Sequence, residues 1–335
     1  MYCRSTNTMY LFKQLFYLPL LQKFTLNLRF LKSEEWSLLE QFLKGQENLK
    51  AFSLCVTGHS STKAHYLDQN AYLKSTIKSL ANKPFLNFLE LKSPFWSLEA
   101  LSKGFSSLNM VNQLHTLIIE GSDDTITSDE TFVQRVEGLC SFIKNQKASL
   151  KTLRISLIFV LWSQIISHIA TAISNLGQLQ ELDFSINFYQ SKRLIDYFRG
   201  SLPENMDKKK ELTCPQRWTP DLARGLQKLE NLQYFSLKFD MLGQSQQESV
   251  EWFIDIMNTL PKLERLRKIK LVPVSARYFL PFEQRIIDAV VQLENIRKIK
   301  FKFYTYDELF SSFLDLEKSL KYVNKRQLIR SDLMF

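Results

Sequence analysis

A short pattern of apolar residues recurs along almost the whole chain and constrains the fold more than any other feature. Each copy has an apolar residue, two variable residues, a second apolar residue, one variable residue and a third apolar residue. The nine copies are Leu21/Phe24/Leu26, Leu49/Phe52/Leu54, Leu86/Leu89/Leu91, Leu114/Leu117/Ile119, Leu150/Leu153/Ile155, Leu179/Leu182/Phe184, Leu232/Phe235/Leu237, Leu266/Ile269/Leu271 and Ile296/Ile299/Phe301. Chance supplies one or two such matches but not nine, so the sequence predicts an array of structural repeats.

The spacing of apolar residues predicts that strands and helices alternate. The last two apolar positions of a copy are two residues apart, so in a strand they face one side while the variable residues face the other. Between copies the period changes to that of a helix, as in the stripe formed by Val136, Leu139 and Ile143. Thr219 followed by Pro220 predicts a helix start, with Thr219 as the N-cap. We therefore predict an α/β fold in which short parallel strands alternate with returning helices.

These residues resemble the leucine-rich repeat family, in its ribonuclease-inhibitor-like class, from Leu21 to about Leu320. The resemblance implies a horseshoe-shaped solenoid of about nine repeats, with parallel strands on the concave face and helices on the convex face. The family places an asparagine or cysteine three residues after the last motif leucine, and this chain has one there only at Asn187. We therefore expect other groups to satisfy most of the turns and the horseshoe to be irregular.

The positions of the copies also predict the domain boundaries. Residues 1–20 are expected to form an N-terminal cap or flanking segment, residues 21–322 the repeat domain, and residues 323–335 a tail. The intervals between successive copies alternate between short and long through the first six, and the longest insertion spans residues 187–219. Insertions at equivalent points of a solenoid lie on one rim, which is often the binding side.

The sequence favours a cytoplasmic protein. Its four cysteines are widely separated and include no CxxC pair, and no apolar run is long enough to span a membrane. The nucleus is an alternative. So is the mitochondrion, because residues 1–33 contain five basic and no acidic residues, as transit peptides do; a repeat that already begins at Leu21 favours a cap segment instead.

The sequence offers little for catalysis. No two of the nine glycines are close enough to build a phosphate-binding loop, and the four histidines form no HExxH motif. Cys55, His59 and His65 match no zinc-site spacing, and the carboxylates between residues 123 and 130 are explained by a helix start and a solvated loop. We predict no enzyme activity, no cofactor, no metal and no small-molecule substrate.

The charge is concentrated on one part of the predicted sheet. Variable positions of the middle copies carry acidic residues such as Glu90, Glu120, Glu181 and Asp183. In the last three copies they carry lysines, here called the lysine plate: Lys238, Lys268, Lys270, Lys298, Lys300 and Lys302. Residues 262–302 contain eleven basic and four acidic residues. An anionic partner that docks there would offset the repulsion among these lysines. The alternative interpretation is a solvated sheet face on which the lysines only maintain solubility.

The sequence predicts a binding module rather than an enzyme. The lysine plate is the first candidate site, and the second is the aromatic and basic insertion, with Tyr197, Phe198 and Trp218. We expect a non-catalytic module or scaffold whose partner is another protein with an acidic surface. The alternative is RNA or ribonucleoprotein binding, which the net charge of +10 favours and the scarcity of aromatic residues among the lysines disfavours. A third hypothesis is that the chain is a subunit of a larger enzyme.

Overall fold

The computed structural model describes residues 21–29, 31–57, 63–108, 113–122, 132–158, 163–187, 219–240, 254–273, 296–304 and 328–334, with isolated residues between these ranges. The chain divides into two compact units, Met1–Leu157 and Ile158–Phe335. The described residues form an α/β fold whose ten strands belong to one parallel sheet and follow one another in chain order. The predicted α/β class is therefore confirmed.

Strands and helices alternate along the described residues as far as Pro273. The strands of the first unit are β1 (Lys23–Leu28), β2 (Ala51–Val56), β3 (Phe88–Ser97), β4 (Thr116–Ser122) and β5 (Thr152–Ile158), the last of which ends at the boundary between the units. Its helices are α1 (Ser33–Gly45), α2 (Lys63–Lys78), α3 (Leu98–Phe105) and α4 (Phe132–Lys144). The second unit has β6 (Glu181–Asn187), β7 (Tyr234–Asp240), β8 (Lys268–Pro273), β9 (Lys298–Tyr304) and β10 (Leu328–Met334). Its described helices are α5 (Ser163–Ile173), α6 (Thr219–Leu226) and the 3-10 turn Leu260–Lys262.

The apolar motif sets the register between strands. In the first unit Phe24 pairs with Phe52, which in turn pairs with Leu89. In the second unit Phe235 pairs with Ile269, which pairs with Ile299. Motif residues thus stand beside motif residues. Because side chains alternate along a strand, the second and third motif residues are buried on one face of the sheet, which we call the core face. The variable residues lie on the other face, which we call the open face.

The core of each unit consists of these motif residues and the apolar stripes of the helices. The motif residues at the second and third positions of β2 to β8 are all 1 % exposed or less. In the first unit, large aromatic side chains of the helices are buried, including Trp36, Phe42, Phe105 and Phe142. The Phe24 and Phe42 rings are 4.9 Å apart, and those of Phe105 and Phe142 are 4.7 Å apart. Such burial, at about 1.5–3 kcal/mol for each large side chain, is the main stabilising contribution.

Side chains from neighbouring repeats form hydrogen bonds with backbone groups of the turns. This agrees with the expectation that other groups take the place of the missing asparagines. Where helices return to strands, Gln46 Oε1 accepts a hydrogen bond from Leu21 N (3.2 Å), and Gln146 Oε1 accepts from Leu114 N (3.0 Å). At the opposite end of the strands, Thr57 occupies an asparagine position, and both its N–H and its hydroxyl donate to Leu28 O (2.9 and 3.3 Å). Turns in the first unit are therefore held by polar contacts to residues about one repeat away.

The structure differs from expectation at the C terminus. Residues predicted to be a tail include β10, which pairs in parallel with β9 and adds a tenth strand. The apolar motif is broken there because Ser331 stands opposite Phe301, and Arg326 occupies the position equivalent to Ile296. Two of the three apolar positions are thus polar, which hides the strand from a pattern search.

The predicted N-cap at Thr219 is also corrected. The helix α6 already includes Thr219, whose hydroxyl donates to Asp255 Oδ2 at 3.1 Å. Its side chain is therefore engaged by a carboxylate of the following segment. A hydroxyl that caps a helix would accept from a backbone N–H of the first turn, as Ser97 Oγ does from Ala100 N at 3.1 Å at the start of α3.

Candidate partner-binding surface

The lysines of β8 and β9 stand directly opposite one another on the open face. Lys268 pairs in register with Lys298, and Lys270 with Lys300. Adjacent strands are about 4.8 Å apart, so two like-charged pairs lie side by side. The Lys268 side chain is exposed and the other three are half-buried, while the motif residues Ile269 and Ile299 between them are buried in the core.

The two outer lysines of the predicted plate have different surroundings. Lys238 stands opposite Val272 and is half-buried, so it extends the plate onto β7 without a lysine beside it on β8. Lys302 stands opposite Asp332 of β10; its side chain lies outside the described residues. The central four lysines are therefore the part of the plate that the sheet brings together.

The tenth strand adds residues that sequence reasoning missed. Arg330 stands opposite Lys300, and Asp332 stands opposite Lys302. The only signal in the sequence is the alternation in the segment Leu328–Met334, which its two polar motif positions obscure. The cationic row on the open face thus runs from Lys270 through Lys300 to the Arg330 position.

An acidic row adjoins the lysines on the preceding strand. Glu181 and Asp183 of β6 are half-buried and stand opposite Tyr234 and Ser236 of β7. Strand β7 therefore separates carboxylates from ammonium groups on the open face of the second unit. A ligand that contacts both sides of β7 would need to be small or mixed in charge.

The lysines of β7 and β8 are not neutralised within the described part of the chain. The ion pairs found there join Lys44 to Glu40, Lys92 to Glu90, Lys103 to Glu99 and Arg224 to Asp221. Within the same residues, Lys238, Lys268 and Lys270 form no ion pair.

The open face of the first unit carries a self-contained polar cluster instead. Ser53 of β2 donates to Glu90 Oε2 at 2.6 Å, and Glu90 Oε1 is 2.5 Å from Lys92 Nζ. Burial opposes ionisation of Glu90, but the hydrogen bonds from Lys92 and Ser53 outweigh it and lower the pKa of Glu90. Ser53, Glu90 and Lys92 therefore satisfy one another on this face.

The two described thiols are not activated. Burial raises the pKa of Cys55, and it raises that of Cys140 to about 12, so neither thiol is activated as a nucleophile. The side chains of His59 and His65 lie outside the described residues. In the part of the chain that the structure describes, no group of three metal-ligating side chains comes together.

A groove of about 500 Å³ lies between α3 and α4 in the first unit. Its base includes Phe105 and Phe142, and its rim includes Lys103, Glu137 and Asn145. Among the described residues that line it there is neither a histidine nor a cysteine.

The second predicted site cannot be placed beside the first. Tyr197, Phe198 and Trp218 all lie outside the described residues, as does most of the insertion 187–219, of which the structure describes only the end of β6 at Asn187 and the start of α6 at Thr219. Their part in binding stays a prediction.

Among the described residues, no helix has both the length and the apolar character needed to span a membrane. Comparison with models of known protein families gave no match, and comparison with curated proteins gave none either.

Proposed function

We propose that this protein is a non-catalytic module of the leucine-rich repeat type that binds another protein, one with an acidic surface, through the lysine plate. The observation that carries the proposal is the register of β8 and β9, which sets Lys268 against Lys298 and Lys270 against Lys300. Directly opposed like charges destabilise a sheet. An acidic partner relieves that repulsion and so gains affinity from it.

The proposal extends to the architecture. The alternation of parallel strands and helices, with motif residues in register, supports a horseshoe-shaped solenoid of about nine repeats. In that solenoid the open face is the concave face, and the insertion 187–219 contributes a rim beside it. Tyr197, Phe198 and Trp218 would then add apolar contacts to an interface whose centre is ionic.

RNA binding is the second candidate. It is favoured by the isoelectric point of about 9.3 and by the cationic row that Arg330 of β10 continues. Against it, Tyr234 is the one aromatic residue found among the described open-face positions of β7 and β8, so base stacking is poorly served. Glu181 and Asp183 also repel a strand of phosphates.

Affinity purification with matched variants tests the proposal. The plate variant carries Lys268→Ser, Lys270→Ser, Lys298→Ser and Lys300→Ser. The control variant removes the same charge from exposed lysines elsewhere, at Lys144, Lys147, Lys151 and Lys228. We expect mass spectrometry to identify a protein that the wild type and the control retain and the plate variant loses, with nuclease treatment leaving it bound.

Direct binding then separates the two candidates. With the purified partner, we expect the plate variant to bind at least tenfold more weakly than the control, because each lost ammonium–carboxylate contact contributes about 1 kcal/mol or more. Equal retention by the plate variant and the control would contradict the proposal. Binding that nuclease abolishes, with a steep salt dependence on uridylate oligomers, would establish RNA instead.

A further inference from the structure

A buried hydroxyl lies on the open face beside the lysines. Ser236 is the central variable residue of β7, between the motif residues Phe235 and Leu237, and it is 1 % exposed. Among the described residues, its Oγ is one of three buried side-chain polar atoms without a hydrogen-bond partner. A buried hydroxyl without a partner lacks the hydrogen bonds it would make in water, so a ligand group that accepts from it recovers that loss.

The first unit contains the same arrangement in a completed form. Ser53 is the central variable residue of β2 and is 5 % exposed. The residue opposite it on the next strand is Glu90, whose carboxylate accepts the Ser53 hydroxyl at 2.6 Å and also contacts Lys92 Nζ. A serine, a carboxylate and a lysine thus form one unit of structure on an open face of this chain.

Ser236 has the serine of that unit but not the carboxylate, and the position equivalent to Lys92 is Val272, so the lysines near Ser236 stand at other positions. The residue opposite it on the next strand is Lys270, at the position that Glu90 occupies beside Ser53. Lys238 follows two residues later on β7 and therefore lies on the same face. Asp183 stands opposite Ser236 on β6, but the Ser236 hydroxyl is not donated to it.

We propose that Ser236, Lys238 and Lys270 form a seat for one carboxylate of the partner, an aspartate or glutamate side chain that takes the place Glu90 has over Ser53. The inference rests on the proposed function and specifies which chemical group the lysine plate recognises and where. The Ser236 O–H donates to one carboxylate oxygen, and the two ammonium groups neutralise the charge. Because the Ser236 hydroxyl is buried, the long lysine side chains must move away from it as the carboxylate enters.

The surroundings favour a carboxylate over a phosphate. The seat offers one neutral donor and two cations, and the half-buried Asp183 stands on its other side. A carboxylate over Ser236 would bind as Glu90 does over Ser53 in the first unit. The chain therefore holds a precedent for a carboxylate bound by a serine of the open face.

Fluorescence anisotropy on the full chain tests the seat with a labelled decaglutamate peptide as the probe. The test variant is Ser236→Ala, which removes the unpartnered hydroxyl and should fold at least as well as the wild type. The matched control is Ser53→Ala, whose hydroxyl is already bound within the chain. We expect Ser236→Ala to weaken binding about tenfold with an unchanged salt dependence, as loss of a hydrogen bond to a charged group implies, and Ser53→Ala to leave it within about twofold.

Two further variants keep the outcome clear. Ser236→Cys conserves the volume but replaces the hydroxyl with a weak donor, so it should behave as Ser236→Ala does. The plate variant described above should lose both affinity and salt dependence. Far-ultraviolet circular dichroism and urea midpoints confirm that each variant is folded.

Each contrary outcome has its own meaning. If decaglutamate does not bind the wild type at low salt, both the acidic partner and the seat are wrong. If the plate variant loses binding but Ser236→Ala does not, the proposed function stands and the seat is overturned. If dodecauridylate binds as tightly as decaglutamate and is equally sensitive to Ser236→Ala, the seat accepts phosphate and the assignment of a carboxylate is wrong.

Discussion

At the scale of single residues, the contact between α3 and α4 depends on a glycine. Ser102 Oγ accepts a hydrogen bond from Gly138 N at 2.9 Å, which places the two backbones in close contact. A Cβ at residue 138 would overlap Ser102 O and would lie 2.9 Å from Ser106 Cβ. The Ser102 oxygen belongs to a helix backbone and cannot rotate aside.

We predict that Gly138→Ala destabilises the protein, although alanine is the better helix former by about 1 kcal/mol. Overpacking costs about 1–3 kcal/mol or more, and overlap with a rigid backbone atom places the cost in the upper part of that range, so the net loss should be about 1–2 kcal/mol. Urea midpoints followed by circular dichroism measure it. Gly45→Ala is the control, because a Cβ there meets nothing within 4 Å; that variant should be as stable as the wild type or more so, and an equal loss in both would refute the packing argument.

A second feature at this scale is Lys83, a lysine whose side chain is buried inside the first unit. Its side chain is 4 % exposed, and its Nζ donates to Lys44 O at 3.0 Å. Burial lowers the pKa of Lys83, with a smaller opposing contribution from Glu47. Because the folded pKa lies below the unfolded value, the unfolded chain binds more protons in the interval between them, and stability rises with pH there.

We therefore predict that the wild type gains stability relative to Lys83→Met as the pH rises through the lowered pKa toward about 10.4, the ordinary lysine value. Urea titrations of both proteins at several pH values above 7 provide the measurement. Lys147→Met, which removes an exposed lysine elsewhere in the first unit, corrects for the general loss of charge. A difference between wild type and Lys83→Met that does not change over this range, or that shrinks, would contradict the prediction.

At the scale of elements, each repeat of the first unit is joined to the next by side chains at the turns before the strands. Gln146 is fully buried, and its Oε1 accepts from both Gln113 N (2.9 Å) and Leu114 N (3.0 Å) at the start of β4. Gln113 Nε2 in turn donates to Lys83 O at 2.6 Å. These bonds connect residues about 30 positions apart and hold three successive turns together.

We predict that Gln146→Ala lowers the free energy of unfolding by about 2–4 kcal/mol, because two backbone donors lose their acceptor and one of them is buried. Hydrogen exchange gives a local readout: the amides of residues 113 and 114 should lose protection first. Asn145→Ala, at the exposed residue one position earlier, is the control and should change stability by less than about 0.5 kcal/mol. Similar losses in the two variants would contradict the assignment of the loss to the hydrogen bonds of Gln146.

These elements also show how far the sequence alone predicts the fold. Strands β1 to β9 and their register follow from the apolar motif, because a one-residue slip would bring a motif residue such as Ile269 onto the open face. The strand β10 does not follow, because Ser331 and Arg326 occupy apolar positions. The bonds of Gln146 and Lys83 do not follow either, since they depend on which turns the stacking of repeats brings together.

Part of the candidate site could likewise be predicted from the sequence and part could not. The alternation within β8 and β9 predicts that Lys268, Lys270, Lys298 and Lys300 share a face, and the motif register makes them neighbours. The covered hydroxyl of Ser236 could not be predicted, because burial of a small polar residue depends on how the surrounding long side chains lie. Its resemblance to Ser53 emerges only when Glu90 and Lys270 are seen at the same position beside it.

At the scale of the whole molecule, the net charge of +10 is the sum of very unequal parts. Residues 1–33 carry five basic and no acidic residues, and residues 262–302 carry eleven basic and four acidic ones, while residues 303–335 carry five of each. The rest of the chain is slightly acidic. The basic character therefore belongs to the two ends of the repeat array, and only at the second of them do adjacent strands set lysine directly against lysine.

That arrangement predicts a salt dependence of stability confined to β8 and β9. The pairs Lys268–Lys298 and Lys270–Lys300 repel each other, and salt screens half-exposed charges, so raising NaCl from about 20 to about 500 mM should slow amide exchange in these strands. The variant with Lys268→Gln and Lys270→Gln should show at low salt about fivefold slower exchange than the wild type, as expected for removing two directly opposed like pairs that cost about 1 kcal/mol together. Its exchange should respond little to salt.

Replacing Lys144 and Lys147 by Gln in the first unit gives a control of equal charge. If that variant slows exchange in β8 and β9 as much, the effect belongs to the net charge and not to the opposed lysines.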